Sequence, residues 1–133
     1  IKMPVFGWYL KKIGSLSVNR NKISKDNLGL IDKIKKSVKN SDRPLIIFPQ
    51  GTRVLPSEFI PFKKGVGRIY DELKIKCQPV AVNSGKVWPK NGQLIPKKTI
   101  TISILPPVKP GMKAVEFTSF IEKEIYNELG LIN

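Results

Sequence analysis

Residues 48–53 read Phe-Pro-Gln-Gly-Thr-Arg, and their types and order could hold an anion. Gly51 lets the backbone turn sharply and come close to a ligand. Successive backbone N–H groups in such a turn form a concave nest for anions. Thr52 adds a hydroxyl donor, and Arg53 adds a planar fork that matches phosphate. The plainer reading is an ordinary strand-to-loop turn with a surface arginine, and these six residues alone do not separate the two.

Three further stretches bear on the same chemistry. Residues 14–20, Gly-Ser-Leu-Ser-Val-Asn-Arg, again end in an arginine after a short apolar run. If the two runs are neighbouring strands, Arg20 and Arg53 converge on one anion, and two guanidinium groups in a partly dry cleft make charge-assisted bonds. A lone arginine at a strand end is otherwise a surface residue. Residues 61–65, Pro-Phe-Lys-Lys-Gly, precede a helix. Lysines at a helix start oppose the helix dipole. They fit if a phosphate sits between Lys63 and the exposed N–H groups, and they are a basic loop if not. Residues 77–85 carry a core strand into a polar turn, where Asn83 and Ser84 could line a cleft.

Elements must place these groups. Residues 4–13 predict a short helix with Pro4 in its first turn and Phe6, Tyr9, Leu10 and Ile13 at helical spacing; Gly14 ends it. A short strand is expected at 16–18. Ser24 is placed as the N-cap of a helix to residue 39, with Leu28, Ile31, Ile34 and Val38 as its apolar stripe and Lys33, Lys36 and Lys39 outside. The apolar run 45–48, between Pro44 and Pro49, predicts a buried strand of a parallel sheet. A helix is expected at 65–73, a buried strand at 80–82, and a strand at 99–105 with Ile100, Ile102 and Ile104 on one face. The last helix is expected at 115–129, lined by Phe117, Ile121, Ile125 and Leu129 and stopped by Gly130. Strands alternating with helices give an α/β fold, a mostly parallel sheet with helices packed on it.

Composition narrows the partners. The chain carries 24 basic and 10 acidic residues, a net charge of +14. Such a field favours polyanions, nucleic acid or anionic lipid, unless the lysines simply solvate the surface. There is no histidine, which removes the commonest general base and the commonest zinc ligand. Cys77 is the single cysteine, so no intrachain disulfide forms, which fits a reducing compartment. No apolar run approaches the ~20 residues of a membrane-spanning helix. The chain opens on Ile1 without a secretory pattern, and the expectation is a piece of a longer protein.

Taken in order, these segments resemble the glycerophospholipid acyltransferase family, and within it the 1-acyl-glycerol-3-phosphate acyltransferases. Residues 14–20 resemble the family's second sequence block, with residues 4–8 before it also typical. Residues 48–53 resemble its third, usually Phe-Pro-Glu-Gly-Thr-Arg. Residues 78–82 resemble its fourth, a Val-Pro-Val-Ala type strand, and residues 62–65 sit where the family has a similar stretch. The resemblance covers residues 4 to 85 well and the rest loosely. The first block, His-x-x-x-x-Asp, is absent. The implied organisation is that residues 1–133 form the C-terminal part of a single acyltransferase domain, with the upstream block and any membrane anchor missing.

The resemblance implies roles. The missing His would deprotonate the acceptor hydroxyl, with the Asp orienting it. The hydroxyl would attack an acyl thioester carried by coenzyme A or acyl carrier protein. Arg20 and Arg53 would hold the acceptor's phosphate, Lys63 would help, and Gly51 and Thr52 would shape the loop. Gln50 stands where the family usually has Glu, and Asn19 where it often has Asp. Both replace a carboxylate beside an anion-binding arginine, so the site becomes more positive and favours a dianionic phosphate. No metal or bound cofactor is implied.

The expected function of the full-length parent is acylation of lysophosphatidic acid to phosphatidic acid, at the cytoplasmic face of a membrane whose anionic surface meets the basic protein. The present chain alone is expected to be inactive. Glycerol-3-phosphate or another lysolipid is the alternative acceptor. A member that never had the histidine is another reading, and a basic nucleic-acid-binding module is the rival from a different class. The last fits poorly, because the aromatics do not interleave with Lys and Arg as stacking platforms do, and no helix-turn-helix or zinc pattern is present; no nucleic acid partner is expected.

Overall fold

Helix-forming patterns dominate the order of elements. The computed structural model describes residues 4–15, 26–89 and 92–132. They divide into two units, Ile1–Ile46 and Ile47–Asn133. The strand expected at 16–18 and the Ser24 cap lie outside the described residues.

The first unit holds helices α1, Pro4–Lys12, and α2, Asp26–Lys39. Gly14 ends α1 as expected. Its φ of 76° is left-handed, and Ser15 N–H reaches back to Leu10 C=O at 2.9 Å, the six-to-one bond of a glycine-terminated helix. Lys12 Nζ lies 4.2 Å from the Trp8 ring centroid, close enough for a cation–π contact. In α2, Ile34 is buried and Ile31 and Val38 are half-buried, while Lys33, Lys36 and Lys39 face solvent. That is the amphipathic division the spacing predicts.

The second unit is built on helix α3, Lys64–Leu73, strands β1, Val80–Val82, and β2, Ile102–Ile104, and helix α4, Ala114–Ile132. Its core joins Phe62, Tyr70, Ala81, Val108, Phe117, Ile121 and Ile125. The Tyr70 and Phe117 rings stack at 3.6 Å with 3° between planes, fixing α3 on α4. Gly67 allows that approach, since a Cβ there would overlap Ala114 O and Thr118 Oγ1 of α4. At the far end of α3, Lys74 takes a left-handed φ of 52° and pairs with Asp71, which holds the Asp71 carboxyl below its ordinary range.

Three expectations about the sheet change. The fold is mixed helix and small sheet, but the two strands described pair antiparallel, Val80 with Ile104 and Val82 with Ile102. Cys77 and Val108 extend the ladder with a bridge. Parallel pairing needs a long crossover, usually helical. Among the described residues between β1 and β2 the only helix is one 3-10 turn, Ser84–Lys86, so the chain doubles back. Residues 45–48 form no strand among the described residues; Ile46 is 75% and Phe48 80% exposed. Nor is 80–82 buried on both faces. Ala81 is fully buried, but Val80 and Val82 point out beside Ile102 and Ile104.

The expected stop at Gly130 also fails, for a physical reason. A glycine inside a helix costs only about 1 kcal/mol relative to alanine. Here α4 continues to Ile132, whose carbonyl accepts a bond from buried Asn83 Nδ2 at 2.8 Å. Asn83 Oδ1 in turn accepts from Thr101 N–H at 2.7 Å. One amide thus ties the helix end to the strand that precedes it, and Leu129 and Ile132 pack on the core.

Candidate anion-binding site

The Phe-Pro-Gln-Gly-Thr-Arg segment folds as the chemistry of its residues dictates. Gly51 N–H donates to Phe48 C=O at 3.0 Å, closing a four-residue turn. Pro49 sits at the second position, where its fixed φ suits a turn. Gly51 follows at φ 69°, a conformation that costs a residue with a side chain about 1–2 kcal/mol. Thr52 and Arg53 then lie exposed in the loop.

A second strap meets this turn. Lys63 N–H donates to Pro49 C=O at 2.9 Å. A methyl placed on Gly51 would lie 3.5 Å from Lys63 Cγ, so the lysine side chain runs beside the glycine. Lys63 is also the residue at which α3 begins. Its backbone is extended, with φ −69° and ψ 134°, and its side chain does not cap the helix. The first turn of α3 carries no acidic residue. A basic side chain, a helix N-terminus and a glycine turn are therefore gathered in one place.

The strap is fixed from behind by α4. Phe62 N–H donates to Glu122 Oε2 at 2.5 Å. Ile60 N–H donates to the Tyr126 hydroxyl at 3.2 Å, and that hydroxyl donates to Ile60 C=O at 2.8 Å. The Tyr126 ring lies 4.5 Å from Phe59 and 5.6 Å from Phe62, centroid to centroid. A cleft opens alongside, lined among others by Gln50, Leu55, Phe59, Asn83, Tyr126 and Gly130.

Of the residues singled out in the sequence, Gly51 and Lys63 are brought together, and Gln50 lines the adjoining cleft. Thr52 and Arg53, the next two residues, stand exposed. Arg20 and Asn19 lie outside the described residues. Asn83 lines the cleft as expected, but both ends of its amide serve the fold. Glu122 and Tyr126 carried no sequence signal: they sit one position past Ile121 and Ile125, and their partners are backbone groups.

Comparison with known proteins follows the same segments. The family model described as Acyltransferase matches residues 1–83. The chain is 35% identical over 91 residues to the 1-acyl-sn-glycerol-3-phosphate acyltransferase of Helicobacter pylori (strain J99), covering 65% of this chain and 37% of that protein. It is 33% identical over 110 residues to the Saccharomyces cerevisiae protein of the same name, covering 80% and 36%. A Pseudomonas aeruginosa protein, also so named, is 30% identical over 110 residues, covering 78% and 40%. The chain thus spans well under half the length of these curated relatives. No solved structure matches it significantly. With the turn, the basic strap and the matched segment in agreement, the chain belongs to the acyltransferase family.

Proposed function

We propose that this chain is the acceptor-binding part of an enzyme that moves an acyl group from a thioester to the free hydroxyl of 1-acyl-glycerol-3-phosphate. The observation that carries the reading is the bond from Lys63 N–H to Pro49 C=O, which sets a lysine and a helix start against the Gly51 turn. Arg53, exposed in the same loop, adds its guanidinium to the grip on the phosphate; for Arg20 of the earlier block that role rests on the resemblance alone. Gln50 in place of a carboxylate leaves the site without a negative charge at that position. The three relatives named above carry the corresponding acceptor in their names.

Holding the phosphate fixes where the acceptor hydroxyl lies. Such positioning supplies a large share of catalysis in a bimolecular transfer. The hydroxyl oxygen bonds to the thioester carbonyl carbon, the carbon–sulfur bond breaks, and the thiol of coenzyme A or acyl carrier protein leaves with the proton. The chain has no histidine, so the base belongs to an upstream segment of the parent, a His with an Asp five positions on. Among the described residues no helix is long and apolar enough to cross a membrane. The net charge of +14 supports contact with the anionic cytoplasmic face of a membrane.

The test is thiol release from acyl-coenzyme A or acyl carrier protein by the full-length parent, with lysophosphatidic acid, glycerol-3-phosphate and a neutral monoacylglycerol as acceptors. Lysophosphatidic acid is expected to be preferred, and the 133-residue chain alone to be inactive. Equal use of the neutral acceptor contradicts a phosphate grip.

A further inference from the structure

The geometry of the strap beside the Gly51 turn is set from α4. Three consecutive links can be followed. Tyr126 holds Ile60 by both its backbone groups, accepting from N–H at 3.2 Å and donating to C=O at 2.8 Å. One helical turn earlier, Glu122 takes the N–H of Phe62 at 2.5 Å. The next residue, Lys63, gives its N–H to Pro49 C=O at 2.9 Å, and Pro49 lies inside the turn closed by Gly51. The Tyr126 ring, between Phe59 and Phe62, adds packing on either side of the same strap.

Other features of α4 serve the core. Phe117, Ile121 and Ile125 are buried in it, and Ser103 Oγ donates to Glu128 on the sheet side. The Tyr126 ring also packs against the core, but Glu122 and Tyr126 both spend their polar atoms on the strap between the turn and α3. Both residues lie beyond the segment matched by the family model, which ends at residue 83.

We propose that Glu122 and Tyr126 are positioning residues that set Lys63 and the N-terminus of α3 against the Gly51 turn, and so tune affinity for the acceptor's phosphate. Their polar atoms go to backbone groups of the strap. Removing the Tyr126 hydroxyl leaves two backbone groups of Ile60 without their partner, while the phenyl ring keeps its packing. The strap then gains freedom along its axis, and Lys63 loses its fixed height over Gly51. The inference rests on the phosphate-binding reading given above.

The experiment uses the full-length parent, with concentrations corrected for the folded fraction. Tyr126→Phe and Glu122→Ala are each expected to raise the KM for lysophosphatidic acid about tenfold, the scale of one lost hydrogen bond at a site where binding is read out. The KM for the thioester should stay within twofold (~0.4 kcal/mol). Glu122→Gln keeps an acceptor oxygen and should recover most of the loss. Ser103→Ala, which removes a hydrogen bond to α4 away from the strap, should leave the acceptor KM unchanged. Arg53→Ala runs beside them. If Arg53→Ala raises the acceptor KM while Tyr126→Phe and Glu122→Ala do not, the positioning role is wrong and the phosphate site stands. A fall in kcat at unchanged acceptor KM also overturns it, since a residue that sets the phosphate-binding groups must show in the acceptor KM. If Arg53→Ala itself leaves the acceptor KM unchanged, the site reading and this inference fall together.

Discussion

The Lys63 N–H donates to the Pro49 carbonyl at 2.9 Å, and this bond joins the two segments on which the proposed anion site depends. One brings a glycine turn, the other a lysine and the start of α3. The loop between them is held a second time from α4, by Tyr126 at Ile60 and Glu122 at Phe62.

Gly51 is the residue in the turn least open to change. Its φ of 69° is left-handed, although a methyl group there would meet only ordinary contact with Lys63. Gly51→Ala is therefore expected to cost about 1–2 kcal/mol through backbone strain alone. Urea unfolding of variant and parent measures this. A loss below about 0.3 kcal/mol would mean the turn relaxes into another conformation.

Gly67 is a different case. It is an ordinary helical glycine by dihedral, but an added Cβ would strike a backbone carbonyl and a threonine hydroxyl of α4. Neither can swing aside as the tip of a flexible side chain would. Gly67→Ala should cost about 1–3 kcal/mol or more as α3 and α4 are forced apart. The same unfolding measurement reads it, and wild-type stability would contradict the close approach of these helices.

Cys77 packs at the edge of the core, with its backbone paired to Val108. Burial raises its thiol pKa above the ordinary 9.0. The sign follows: the folded state binds the proton more tightly, so the stability this gives is present below the unfolded pKa and lost as pH rises through the folded one. Alkylation at pH 8 should thus be slower in the native protein than in urea-unfolded protein, and stability should decline on the alkaline side. Equal alkylation rates in the two states would contradict the burial.

Much of this was legible in the residues. The helices announced themselves through apolar spacing, and Gly14 through its place after the last apolar residue. Of the proposed site, the closeness of Gly51 and Lys63 is what the structure shows; they belong to two segments whose residue types suit an anion. Other parts were not, for physical reasons. An apolar run such as 45–48 states that it wants burial, not what will cover it. The period of 99–105 is right for a strand, but period alone does not say which face meets the core, and Ile102 and Ile104 face out. Direction of pairing depends on the connection, which among its described residues carries no helix long enough for a crossover. Gly130 fits a helix stop by composition, yet the Asn83 amide holds the helix beyond it. Glu122 and Tyr126 escaped notice because they recognise backbone, which leaves no mark in the partner's residue type.

The most direct test of the phosphate grip is the ratio of kcat/KM for lysophosphatidic acid to that for monoacylglycerol in the full-length parent, before and after Arg53→Ala. A charge-assisted hydrogen bond is worth about 1.5–3 kcal/mol, so the ratio is expected to drop by about 10- to 100-fold, with thioester KM little changed. A ratio that does not move on losing the guanidinium at position 53 would contradict the account.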